Sequence, residues 1–174
     1  MMSDCKICDI ISSGKANKIY EDEKIIGILC PEPVAAGHIW IIPKDHYPII
    51  ENIPDYEVSK MFSIANKISI SLFESLKVQG TNIFVANGPA AGQIVSHFII
   101  NIIPRMPNDS INMTWQPRQL TEEEMSTVEL SIKEQVKSVG YFEKEKAKPI
   151  ELDKKREVIS NAEDYLVKSL RRIP

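Results

Sequence analysis

The sequence predicts an α+β fold built around an antiparallel sheet. Short apolar runs with strand character lie at EKIIGILC (23–30), HIWIIP (38–43), TNIFVA (81–86) and from Ile94 to Ile103. One amphipathic helix separates the second run from the third, and the strands fall in sequential pairs. Strands grouped this way around a helix point to α+β rather than to alternating parallel units.

The elements follow in order. Residues 5–13 read as a short helix or turn. PEPVAAG (31–37) connects the first two strands, and Pro43 closes the second. Pro48 and Pro54 mark an irregular stretch. Over 55–77, Val58, Met61, Ala65, Ile68, Leu72 and Leu76 recur at three-to-four spacing, which predicts a helix with one buried stripe. Gly80 is the expected stop. NGPAAG (87–92) reads as a glycine-rich turn, and Pro104 as the end of the fourth strand. A second helix is expected over 120–139, with Thr121 as its cap and Glu124 completing a capping box. Its apolar stripe is Met125, Val128, Ile132, Val136 and Val139. A charged segment, 143–153, contains Pro149. A last helix is predicted at about 154–171, with Val158, Ala162, Tyr165 or Leu166, and Leu170 on one face. The expected division is a domain over 1–110 and a C-terminal helical extension over 111–174. The stripe on the last helix needs cover from its own domain or from a second subunit.

A chain of 174 residues with 43% hydrophobic content fits one domain and an appendage. MMSDCKICDIISSGK has acids and cysteines where a signal peptide has an apolar core, and no run of about 18 apolar residues exists. The expectation is a soluble cytoplasmic protein with no membrane partner. The net charge of −3 does not suggest a nucleic-acid partner. Residues 1–136 hold 11 Lys/Arg against 17 Asp/Glu, and residues 137–174 hold 10 against 7. A mildly basic tail on an acidic body reads as a solvated or docking helix.

Three cysteines, Cys5, Cys8 and Cys30, argue against a disulfide framework. Cys5-Lys6-Ile7-Cys8 is a C-x-x-C pair, which reads either as a redox couple or as half of a metal site. The three histidines are His38, His46 and His97. Cys5, Cys8, His46 and His97 together would make a Cys2His2 set suited to Zn²⁺. The spacings are long, and His46 as a loop residue with His97 as a core histidine remains open on residues alone.

Two longer stretches narrow the reading. PVAAGHIWIIPKDHYP (33–48) and NGPAAGQIVSHFIINIIPR (87–105) resemble the histidine triad (HIT) family of nucleotide hydrolases and transferases. The first is similar to the family's P-x-A-x-G-H…I-P-K-x-H segment, and the second to its N-x-G…G-Q-x-V-x-H-x-H-x-H strand. The tail YLVKSLRRIP (165–174) resembles an extension of some microbial members. The resemblance implies a five-stranded antiparallel sheet with helices and a symmetric homodimer with a continuous sheet. It also implies zinc held by Cys5, Cys8, His46 and His97.

The family reaction, as the resemblance implies it, uses the middle triad histidine to attack an α-phosphorus. Here the triad positions are His97, Ile99 and Asn101. A hydrocarbon cannot act as nucleophile, and an amide cannot shuttle a proton at neutral pH. Side chains at 97, 99 and 101 are expected on one strand face, with Phe98, Ile100 and Ile102 in the core behind it. The family's ribose-binding aspartate position is Cys30, and an asparagine position before the loop glycine is Ala86. His38, Asn87, Gly92, Gln93, Ser96 and Asn101 are the expected ligand-binding residues, with His38 and Asn101 the candidates for any acid–base role. Three functions are therefore weighed. The first is a catalytically degenerate HIT-fold protein with structural zinc, binding a nucleotide or small polar ligand or serving as a scaffold. The second is a hydrolase of dinucleoside polyphosphates or nucleotide conjugates with a rebuilt site, in which Cys30 would be a nucleophile if exposed. The third is a C-x-x-C redox protein.

Overall fold

The computed structural model describes residues 5–140. Five strands form one antiparallel sheet: β1 (Lys18–Glu21), β2 (Ile25–Leu29), β3 (Ile39–Pro43), β4 (Gly80–Phe84) and β5 (Ile100–Arg105). Their order across the sheet is β1-β2-β3-β5-β4. Helix α1 (Lys6–Ser13) precedes the sheet, α2 (Asp55–Leu76) links β3 to β4, and α3 (Glu122–Gln135) follows β5. This is the α+β fold with a five-stranded antiparallel sheet that the resemblance implied.

Strand alternation sorts the isoleucines between two faces. Ile25, Ile39, Ile41, Ile100 and Ile102 pack with Phe98 against Met61, Ala65 and Leu72 of α2. Ile26, Ile28 and Ile42 point the other way, with Trp40 and Ile99, toward Cys5 and Ile7 at α1. Cross-strand register keeps the faces matched: Ile26 pairs with Ile42, Ile39 with Ile102, and Trp40 with Asn101. The expectation that Phe98, Ile100 and Ile102 form core behind the triad positions agrees with this sorting.

Several boundaries differ from the sequence expectation, each for a physical reason. β1 leaves no signal in the residues, because KIYE is an edge strand with mostly exposed positions and no apolar alternation. The fourth expected strand, Ile94 to Ile103, begins only at Ile100 as β5. Ahead of it the backbone is held elsewhere: Phe98 donates its N–H to the Tyr47 carbonyl and His97 donates to Val95. Pro104 does not end β5, since pairing with β3 stops at Ile102 and the proline has a strand neighbour only on the β4 side. The long helix ends at Lys77, which takes the left-handed conformation itself (φ 55), three residues before Gly80. Leu76 is left exposed, whereas Ile64 and Ser69 join the buried face.

The second expected helix is α3, with the predicted capping box at Thr121 and Glu124, followed by a single 3-10 turn at Val136–Ser138. Its apolar stripe is exposed from Met125 through Val139. The helix expected at 154–171 and the charged segment before it lie outside the described residues. No described helix is long and apolar enough to cross a membrane.

Candidate functional site

Four metal-ligating side chains converge where α1 meets the far ends of β3 and β5. Cys5 is the N-cap residue of α1 and Cys8 sits in its first turn, so both sulfurs leave the same end of the helix. His46 stands in the loop after β3, and His97 on the bend ahead of β5. His97 Nδ1 lies 3.6 Å from the Sγ of Cys5 and 3.6 Å from that of Cys8, and His46 Nδ1 lies 3.4 Å from Cys8 Sγ. All four ligand atoms fall within 4.8 Å of one another. A tetrahedral zinc with ordinary Zn–S and Zn–N bonds requires sulfur–nitrogen separations of about 3.6 Å, so the residues fit that ion.

The surroundings prepare the donors. His97 donates from Nε2 to the Pro43 carbonyl at 3.0 Å, which leaves the Nδ1 lone pair aimed at the sulfurs. Burial pushes His97 below the usual imidazole range, and neutral imidazole is the ligating form. Burial, with Cys5 alongside, raises the Cys8 thiol, a pressure that a divalent cation reverses.

A cavity of about 380 Å³ opens next to this cluster. Trp40, Phe84, Ile7, Ile10 and Val95 form apolar walls. His97, Ile99 and Asn101 all line it. Only Asn101 belongs to β5, so the three do not share one regular strand as expected, yet they still face one space.

Of the other ligand residues expected from sequence, Gly92 and Gln93 line this cavity, whereas His38, Asn87 and Ser96 do not. The Gln93 amide is already used: its Nε2 donates to the carbonyls of Pro48 and Val95, and its Oε1 accepts from Gly88 N–H. Asn87 is spent on the fold, accepting from Ile50 N–H and donating to the Glu51 carboxylate. Ser96 is exposed.

The two acid–base candidates meet each other. Val34 N–H donates to His38 Nδ1 at 3.4 Å, so Nε2 carries the proton and donates to Asn101 Oδ1 at 3.1 Å. Burial lowers the pKa of His38 despite that contact, keeping the ring neutral. His38 and Cys30 line a separate cavity of about 320 Å³ with Lys15 and Leu29. Cys30 is buried, and burial raises its thiol, so it is a packed side chain with little thiolate character.

The HIT domain profile matches residues 13–108. The chain belongs to the HIT family. Among curated HIT relatives, an adenylylsulfatase (HINT3) from Arabidopsis thaliana is 38% identical over 112 residues, covering 64% of this chain and 57% of that protein. The chain thus spans little more than half of that relative's length. An adenosine 5'-monophosphoramidase (HNT1) from Candida albicans is 27% identical, over 78% of this chain and 93% of that protein. Among solved HIT structures, a family member from Bacillus subtilis superposes with a TM-score of 0.70 at 28% identity, covering 75% of this chain and 96% of that one. A Zn-bound histidine triad family protein from Mycobacterium smegmatis has a TM-score of 0.59 at 31% identity, covering 78% and 96%.

Sequence reasoning missed the apolar walls of the HIT cleft. Trp40 carries only a strand signal and Ile10 lies in a short helix or turn, and nothing local tells which face of β3 opens on a cavity. It also missed the Pro43 carbonyl, because a backbone acceptor carries no residue signature.

Proposed function

We propose that this HIT-family chain holds a structural zinc ion and binds a small ligand in its cleft without transferring a nucleotidyl group. The observation that carries this reading is Ile99. Its side chain lines the cleft between His97 and Asn101, where the family's nucleophile would stand. A branched hydrocarbon there has no lone pair to attack phosphorus, and it takes up volume a phosphate would need. Cys5, Cys8, His46 and His97 would hold the zinc, which ties α1 to the sheet and supplies structural rather than Lewis-acid chemistry. His97 is then retained as a metal ligand. His38, held neutral against Asn101, orients that amide, and Asn101 offers its remaining N–H to a ligand.

The reading includes a homodimer paired along the open edge of β4, where Ile83 and Phe84 are exposed. Three cysteines with no disulfide among them fit a reducing compartment such as the cytoplasm.

The deciding experiment is hydrolysis of a dinucleoside tetraphosphate by the pure protein, with His38→Ala beside it to expose contamination. No turnover in either is expected. Turnover that disappears in the variant would establish the second reading, a hydrolase with a rebuilt site. The names of the relatives from Arabidopsis and Candida favour that reading. Metal analysis gives a separate check: one zinc per chain is expected, and a metal-free, readily oxidised Cys5–Cys8 pair would favour redox chemistry instead.

A further inference from the structure

The cleft beside His97 has lining chemistry that names a class of ligand, on the premise of the preceding reading that the cleft is a binding site. We propose that it takes a neutral aromatic molecule and gains nothing from a phosphate group. The walls are Trp40, Phe84 and Ile99 with Ile7 and Val95, and a cavity of about 380 Å³ is large enough for a one- or two-ring compound. Aromatic side chains bind flat apolar rings by offset or edge contacts as well as by area.

The polar side chains that line the space are largely committed elsewhere. Both donors of the Gln93 amide go to the Pro48 and Val95 carbonyls, and its oxygen accepts from Gly88 N–H. The ring nitrogens of His97 face the cysteine sulfurs and the Pro43 carbonyl. Asn101 Oδ1 is held by His38, leaving one amide N–H. Two charged side chains stand at the rim, Lys6 and Glu32, both exposed and opposite in sign. An anion entering between them meets attraction and repulsion together. A buried phosphate needs several charge-assisted donors to replace its water. A neutral ring needs only the apolar walls and, at most, one hydrogen bond from Asn101.

The chain has two tryptophans, and Trp115 is exposed. A Trp115→Phe protein therefore reports on Trp40 alone. Its indole N–H resonance would be followed by nitrogen-edited NMR in titrations with indole, adenosine and AMP. Saturable shifts with indole and adenosine are expected, with AMP binding no more tightly than adenosine. Ile99→Asp, with its zinc content checked, should weaken indole at least tenfold. AMP binding ten times more tightly than adenosine would overturn the proposal, as would the absence of any shift with all three probes. Turnover in the tetraphosphate assay would remove the non-hydrolytic reading and leave this affinity ratio to be read independently.

Discussion

Gly37 has φ +86, and a Cβ placed on it would come 2.6 Å from Leu76 Cδ1 and 3.5 Å from Leu72 Cδ2. The left-handed backbone conformation requires glycine there, while the Leu76 methyl is the end of an exposed side chain that can move aside. Gly37→Ala is expected to destabilise the fold by about 1–3 kcal/mol, read as a lower urea midpoint. At the cluster, chelation should lower the melting temperature of the wild-type protein and leave that of Cys5→Ser unchanged. Equal sensitivity of the two would remove Cys5 from the metal site. Asp22 illustrates a different balance. Burial works against its charge, but Lys60 at 2.8 Å, the Tyr20 hydroxyl at 2.7 Å and the N–H groups of Lys24 and Ile25 hold its carboxyl well below the usual range. A depressed carboxylate stabilises the fold above its unfolded pKa and loses that contribution as pH falls. Asp22→Asn should therefore cost about 1–3 kcal/mol at pH 7. The gap to wild type should narrow as pH drops below about 4, through the ordinary carboxylate value toward the depressed one.

Helices α2 and α3 obey the same periodicity with opposite outcomes. Met61 in α2 is fully buried against the sheet, so Met61→Ala should cost about 2–5 kcal/mol in equilibrium unfolding. In α3 the predicted stripe is exposed, with Val128 at 50% and Ile132 at 55%. A 14-residue helix whose apolar stripe no described residue buries is marginal by itself in water, so its capping box matters more. Thr121→Ala should weaken it by about 1 kcal/mol. Amide exchange across 122–135 should quicken while the sheet amides keep their protection. Periodicity makes both helices legible, because it reports that a face is apolar. It does not report what covers that face. β1 is illegible for the converse reason: its backbone pairs with β2, but of its four side chains only Tyr20 reaches the core, too little to leave a pattern.

At the scale of the molecule, the sheet leaves β1 and β4 as its two edges. Exposed Ile83 on β4, together with exposed Ile70 and Phe73 on α2, is the kind of surface a second copy would cover. Ile83→Lys is expected to convert a dimer into monomers in sedimentation velocity, since charge on an edge strand opposes pairing. A wild-type monomer at micromolar concentration would sink the dimer outright. The candidate metal site is legible in the sequence as four residues of the right kinds. That they meet depends on β5 lying between β3 and β4, which brings the bend at His97 beside the loop at His46 and under α1.

What the sequence alone determined is therefore local or compositional: the strand-forming isoleucine runs, the amphipathic helix periods, the capping box at Thr121 and the Cys/His donor set. Each follows from side-chain chemistry or from a period of two or about 3.6 residues. Only the tertiary structure decided that His38 is spent on Asn101, that Asn87 and Gln93 brace the loop, and that an apolar cavity opens beside His97. Those outcomes depend on which backbone and side-chain groups arrive within hydrogen-bonding distance across dozens of residues, and no local pattern encodes that distance.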